Sequence, residues 1–266
     1  MSRNVKVLSA LSNVSAGSTA TLELPLGHTY DQITFEYSGV TPEQIKNIKL
    51  NINGKAVQSY KSAVRLNQLN AYWKRPVTAG FLDMHFVRPE MTNLEYRRLY
   101  ALGTADVATV DITFDIDAAA VNPVIQAQAV LSPNTPLGLI TKVKEFPVSS
   151  ATAGEKEIDN LPKRARVGAI HLMGKSDINK IEVEVDSYKV YEATKVRGEK
   201  LQSDANRTPL GADGTSIDFI REGNPFNALV LRSGKVSVQD FRIRPTLGTA
   251  GAFDAVVEYF DEYAGI

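Results

Sequence analysis

The 266-residue sequence predicts an all-β protein: two tandem eight-stranded jelly-roll β-sandwiches, a double jelly roll, with a few short helices in inter-strand loops. Three observations predict it. Apolar and polar residues alternate with period two over many short stretches, as half-buried strands require. Gly, Pro, Asn and Asp stand between those stretches, in "SGVTPEQ", "NGK", "RPE", "GKSD" and "EGNP". Finally, several segments recur in the same order roughly 130 residues later.

Along the chain, residues 20–24 and 32–37 read as the first strands after a basic-apolar N-terminus in which Arg3 and Lys6 alternate with Val5, Val7 and Leu8. That N-terminus reads as an edge strand; two basic residues are too few for firm attachment to an anionic membrane. In "IKLNI" Ile48, Leu50 and Ile52 share one face. Residues 53–76 read as an insertion with a helix over 61–73, followed by a strand at 81–87 and a helix over 93–100. In "VDITFDI", residues 110–116, Val110, Ile112, Phe114 and Ile116 face inward, and Asp111, Thr113 and Asp115 face outward. The Ala-, Pro- and Asn-rich stretch 118–138 reads as the link, placing an N-terminal jelly roll at 1–130 and a C-terminal one at 131–266. In the second half, strands are expected at 167–172, 181–185, 216–220, 228–231, 238–243 and 255–260. A helix is expected over 189–202, and 195–214 reads as a second long insertion.

The repeat carries the layout. A shift of 137 takes Ala16–Gly17 to Ala153–Gly154, Leu24–Pro25 to Leu161–Pro162, and Ile33 to Ile170. A shift of 133 takes "IKNIKLNI" to "INKIEVEV", and "HFVRPE" to "DFIREG". That second match pairs Phe86 with Phe219 and Arg88 with Arg221 as structural residues where equivalent strands leave their sheets. The two phenylalanines are expected to point into their cores. "LGTA" at 102–105 returns at 247–250, a shift of 145. A repeat of this length is a duplicated domain, since solenoid units are shorter.

Composition removes several functions. Thirty basic residues balance thirty acidic ones, so the chain has no electrostatic footprint for nucleic acid, and sequence-specific binding to it is not expected. With no cysteine, disulfides, thiol nucleophiles and zinc ribbons are excluded. The N-terminal stretch lacks the apolar core of a signal peptide, and synthesis and folding in soluble form are expected. "GAIHLMGKS" has five residues, not four, between Gly168 and Gly174, and they are strand-like, so it reads as a strand ending in a turn and not as a phosphate loop. His28, His85 and His171 form no metal-binding spacing. No serine-hydrolase elbow occurs, and nothing assembles a nucleophile, base and acid, so no catalytic residue, cofactor-binding residue or enzymatic activity is predicted.

Two sets of residues remain. Asp111, Asp115 and Asp117 line one strand and are candidates for structural calcium, although they lack EF-hand spacing; "EYFDEY" at 258–263 is a weaker case. Trp73, beside Lys74 and Arg75, is either a core-closing residue or a sugar-stacking platform. A duplicated sandwich without an active site points to assembly: three copies around a threefold axis present six similar wedges, the unit of a hexagonal lattice.

"LPLGHTYDQITFEYSGVTPEQIKNIKLNINGK" (24–55), "HFVRPEM" (85–91) and "ALGTADVATVDITFDIDAAA" (101–120) closely resemble the major capsid proteins of corticoviruses, icosahedral membrane-containing phages of marine bacteria. "EIDNLP", "GAIHL" and "TSIDFIREG" resemble parts of the second domain of those proteins, and residues 189–214 have no match. The resemblance implies a double jelly roll and a major capsid protein of the virion. It also implies a homotrimeric pseudohexagonal capsomer and a shell over an internal lipid membrane around double-stranded DNA. Neighbouring capsomers, minor capsid or vertex proteins and viral membrane proteins are the implied partners, and capsids of this type contain bound calcium. The competing expectation is a carbohydrate-binding tandem jelly roll, spike- or lectin-like, with Trp73 as its platform.

Overall fold

A computed structural model describes residues 3–234 and 236–265, apart from the side chain of Ser233. The chain forms two compact units, the first ending at Val143 and the second beginning at Lys144. In the first unit the strands are β1 (Asn4–Val7), β2 (Thr19–Glu23), β3 (Thr29–Ser38), β4 (Ile45–Ile52), β5 (Lys55–Ser62), β6 (Phe81–His85), β7 (Leu102–Gly103), β8 (Val110–Ile116) and β9 (Val124–Ser132). Helix α1 (Ala63–Tyr72) follows β5, and the one-turn α2 (Leu94–Arg98) lies between β6 and β7. One sheet has the order β1-β9-β3-β6, with the short β7 also on β3; the facing sheet has the order β5-β4-β8-β2.

In the second unit, β10 (Ile140–Ser150), which starts in the first, is followed by β11 (Gly154–Glu155), β12 (Arg166–Met173), β13 (Ile178–Val185), β14 (Tyr188–Thr194), helix α3 (Lys195–Asp204) and β15 (Gly214–Asp218). Then come the two-residue pieces β16 (Leu229–Val230), β17 (Arg232–Ser233) and β18 (Val236–Ser237), and the long β19 (Phe241–Leu247) and β20 (Gly251–Asp261). The sheets here run β10-β20-β12-β15 and β14-β13-β19-β11. These orders are those of the first unit strand for strand. Each unit is an eight-stranded jelly roll, and each carries its one long helix after the same strand. The fold is a double jelly roll.

Side-chain alternation explains the elements. β8 and β19 bury every second residue, Val110, Ile112, Phe114 and Ile116 in one and Phe241, Ile243, Pro245 and Leu247 in the other. The second core gathers Ile170, Leu172, Ile181, Val183, Ile243, Val257 and Tyr259. Each fully buried aliphatic side chain of this kind contributes about 1.5–3 kcal/mol relative to exposure.

Four expectations need correction. The stretch 118–138, read as a link, contains β9, which pairs with β3 from Val124 to Ser132. The insertion 53–76 begins with β5, antiparallel to β4. The helix expected over 189–202 is a strand as far as Thr194, because "YKVYEAT" is rich in aromatic and β-branched residues and carries charges that pair across to β13. Helix begins only where the Thr194 hydroxyl accepts from the Arg197 amide. Finally, the two "LGTA" segments are not equivalent. The first forms β7, before β8, whereas the second starts at the last residue of β19 and leads into β20. Their shift of 145 departs from the shift of 131 that aligns β8 with β19 through their equivalent pairings, Asn51 with Asp111 and Glu184 with Arg242.

The turn between the fourth and fifth strands of each unit holds a repeated clip. Asn53 and Gly54 have φ of 48° and 77°, and Asp186 and Ser187 have φ of 47° and 66°, the paired left-handed residues of a two-residue hairpin. Asn53 Oδ1 accepts from the amides of Ala108 and Thr109 at 2.8 and 3.0 Å. Asp186 Oδ1 accepts from Gln239 and Asp240 at 2.7 and 2.8 Å. Each clip pins the chain just before β8 or β19. Ser187 stands where its counterpart is glycine, in a conformation that costs an L-residue about 1 kcal/mol. Ser187→Gly is therefore expected to stabilise the protein by about 0.5–1 kcal/mol, read as a raised urea midpoint at unchanged slope.

Candidate functional site

A buried polar cluster of the first jelly roll forms where α1 returns to the sheet. Ser62 Oγ accepts from the Arg65 amide and starts the helix. At its far end Lys74 has φ of 57°, and the Arg75 amide turns back to the Asn70 carbonyl at 2.9 Å. The Asn70 side-chain amide donates to the Asp83 carbonyl of β6 at 2.8 Å, tying helix to strand. Arg75 then points at Glu90, with Nη2 at 3.0 and 3.2 Å from its two carboxylate oxygens and Nε at 3.3 Å. Arg88 Nε reaches the same carboxylate at 2.7 Å, and its guanidinium lies 4.5 Å over the Trp73 ring. Trp73 meets Tyr72 edge-on at 4.9 Å.

Burial by itself would raise the Glu90 pKa, but the Arg75 and Arg88 guanidiniums outweigh it and hold the carboxyl below its ordinary value. Neighbouring His85 is pushed down to about 3 by burial and by Arg75, against an opposing pull from Glu90, so it is neutral near pH 7. The cluster is a fixed structural clamp, charged at one carboxylate and two guanidiniums.

The second jelly roll repeats the clamp with different residues. Asn206 has φ of 57°, the Arg207 amide donates to the Gln202 carbonyl at 2.8 Å, and Gln202 Nε2 donates to the Ser216 carbonyl of β15 at 2.6 Å. Arg207 Nε pairs with Asp218 at 2.8 Å, and Nη2 donates to the carbonyl of Ile220 at 3.3 Å. Asn70 and Gln202, like Arg75 and Arg207, differ by 132 residues. That shift was the available signal, and it lay inside the segment the sequence comparison left unmatched.

Of the residues singled out from sequence, Phe86 is buried at the end of β6, and Phe219 is half-buried against the second core. Arg88 is buried in the clamp, whereas Arg221 is exposed. The side chain corresponding in role is Arg207, because the buried acid of the second unit, Asp218, sits on the strand and is reached from the end of α3.

Asp111, Asp115 and Asp117 do not fit a shared calcium. Asp111 accepts from Asn51 at 2.7 Å, Asp115 from Thr19 and Asn47 at 2.6 and 2.8 Å, and Asp117 pairs with the Lys46 ammonium at 2.5 Å. Four residues along one strand also separate Asp111 from Asp115 by about 13 Å, too far for ligands of one ion. Among the described residues no cluster of three or more His, Asp or Glu is arranged to hold a metal. At the positions of β19 that correspond to Asp111 and Thr113 stand Arg242 and Arg244; Arg244 bridges Glu157 at 2.9 Å and Glu184 at 2.7 Å. The same sheet face continues through Glu182, Lys180, Lys189 and Glu192. Hydrogen bonds from Lys180 and Lys189 lower the Glu192 pKa to about 2.

One catalytic-looking line appears that the sequence reading did not assemble. His171 Nδ1 lies 2.8 Å from Ser216 Oγ, and its Nε2 lies 3.3 Å from Glu258. His171 and Ser216 are wholly buried and Glu258 almost so, leaving no path for a substrate. It is a packed polar network on three adjacent strands.

Sequence comparison decides the family. The viral coat protein P2 N-terminal domain matches residues 5–132, and the P2 C-terminal domain matches residues 140–263. The chain belongs to the viral coat protein P2 family. Major capsid protein P2 of Pseudoalteromonas phage PM2 is 34% identical over 270 residues, covering 97% of this chain and 96% of that one. The crystal structure of that capsid protein superposes with a TM-score of 0.93 at 31% identity, covering 99% and 98% of the two chains. The major capsid protein of STIV shares the fold at a TM-score of 0.69 and 12% identity, covering 98% of this chain and 96% of that one. This coat protein is therefore a phage major capsid protein with a double jelly-roll fold, located in the virion capsid, and a structural protein, not an enzyme.

Proposed function

We propose that this major capsid protein assembles as a homotrimer, a pseudohexagonal capsomer that tiles an icosahedral shell over an internal lipid membrane. The observation that supports the reading is the strand-for-strand identity of the two jelly rolls. Three chains then place six similar wedges around one axis, and a threefold molecule acquires quasi-sixfold contacts. Neighbouring capsomers, minor vertex proteins and membrane proteins of the virion are the partners of such a unit. The carbohydrate-binding alternative loses its platform, since Trp73 is 2% exposed and lies under Arg88.

Solution mass tests the trimer. Three chains of 29.1 kDa make a particle of about 87 kDa, and electron microscopy of it should show a hexagonal outline with threefold density. A species that stays monomeric at micromolar concentration would overturn the reading.

A further inference from the structure

The two jelly rolls differ sharply in what happens to one equivalent face. In the first, the outward side of the β1-β9-β3-β6 sheet carries Val5 and Val7, 70% and 71% exposed, with Gln126, Gln128 and Glu36 exposed beside Thr34. In the second, the matching side of the β10-β20-β12-β15 sheet is buried. Thr34 lies opposite Gln128 in the first unit, and its counterpart His171 lies opposite Val256 in the second. His171 and Val256 are both 0% exposed. The helices do not explain the difference, because α1 and α3 each attach to the last strand of their sheet in the same way, through Asn70 and Gln202.

A face this poor in charge is unusual on an exposed sheet. Its outward strand positions include no Lys or Arg, and its charge comes from exposed Glu36 and half-buried Asp83, which lies opposite Thr34. The opposite character appears on α3, where Val196 is 77% and Leu201 41% exposed, next to exposed Arg197 and Lys200. Successive residues turn by about 100°, so these four span one exposed side of α3 about 140° wide, a stripe in which Lys200 and Arg197 lie between Val196 and Leu201.

We propose that the valine–glutamine face of the first jelly roll docks on the α3 stripe of the second jelly roll in the next copy of the chain. The contact is heterologous, one surface on a different one, and three such contacts close a ring. The proposal rests on the trimer reading and names the surfaces that build it. It explains why a face buried in one repeat is left bare in the other: in a ring of alternating wedges the bare one is covered by the neighbour.

Two double variants test it, Val7→Asp/Gln128→Lys on the sheet face and Val196→Asp/Leu201→Asp on the stripe. Each is expected to sediment as a monomer while retaining the wild-type far- and near-ultraviolet circular dichroism. Mixed one to one, the two variants retain one intact pair of surfaces between them and should give a dimer of two chains and no trimer. A wild-type trimer that persists in Val7→Asp/Gln128→Lys would overturn the proposed face while leaving the trimer reading intact. A mixture that remains monomeric would overturn the pairing with α3, and a monomeric wild type would overturn the trimer itself. Because the chain has no native cysteine, Gln128→Cys/Leu201→Cys provides a check independent of those substitutions. A short bismaleimide should link its chains into covalent dimers and trimers, and the absence of linkage would count against the contact.

Discussion

Replacing Glu90 by glutamine is expected to destabilise the first jelly roll by about 3–5 kcal/mol, the cost of leaving buried charge without its partner. The Glu90 side chain is 2% exposed and receives both Arg75 and Arg88, so its loss leaves two guanidiniums facing each other without the carboxylate between them, Arg88 over the Trp73 ring. A fall in Tm on the order of 10 °C follows from the size of the unit. The sign of the pH dependence is set by the lowered Glu90 pKa. Its contribution is complete above the ordinary carboxylate value of 4.5 and is lost as pH falls through the lower folded value. The Tm gap between wild type and Glu90→Gln should therefore be constant near neutrality and narrow in acid. A variant that melts within a degree or two of wild type at pH 7 would show that the clamp contributes no net stability.

Arg207→Met should have a comparable effect on the second jelly roll, also about 3–5 kcal/mol, because it strands Asp218 at 2% exposure. It also removes donors from the carbonyls of Ala205 and Ile220. Adding Asp218→Asn removes the uncompensated charge and leaves an oxygen for the Ile220 amide, which Asp218 now accepts at 2.8 Å. The double variant should recover a large part of the loss. The single tryptophan, Trp73, lies in the first unit, so it separates the two clamps. Arg207→Met should lose circular dichroism before Trp73 emission changes, whereas Glu90→Gln should affect Trp73 early. Coincident shifts of both signals in both variants would mean that the jelly rolls unfold as one cooperative unit.

Much of the fold was legible because strands announce themselves by period. Residues 110–116 read as a strand and form β8 with those bounds. "IKNIKLNI" and "INKIEVEV" form β4 and β13, eight residues each at the shift of 133. The failures were equally physical. β9 reads "VIQAQAVLS", whose outward residues are Val and Gln and not charges, so it looked like a link. The same lack of charge marks the face for which a partner is proposed. The strand β14 was hidden by Lys and Glu spacing that also suits a helix, and only its cross-strand partners on β13 decide between the two.

The candidate sites were less legible. Arg88 and Arg221 occupy matching positions after matching strands, yet one is buried against a carboxylate and an indole while the other is exposed. Ion pairing depends on which acid the tertiary fold brings within about 3 Å, and Glu90 and Asp218 arrive from different elements. Asp111, Asp115 and Asp117 looked like ligands because their oxygens share a strand face, but Asn51, Asn47 and Lys46 from the next strand already occupy them.

Alone, the sequence determined that the chain is a duplicated all-β domain. Strand periodicity and an internal shift are properties of residue order, since alternation dictates which side chains can share a face. Tertiary structure decided the rest: which arginine closes each clamp, which aspartates are spoken for, and which of two equivalent sheet faces stays bare. Those outcomes depend on groups distant in sequence meeting at hydrogen-bond distance, and no local pattern encodes that meeting.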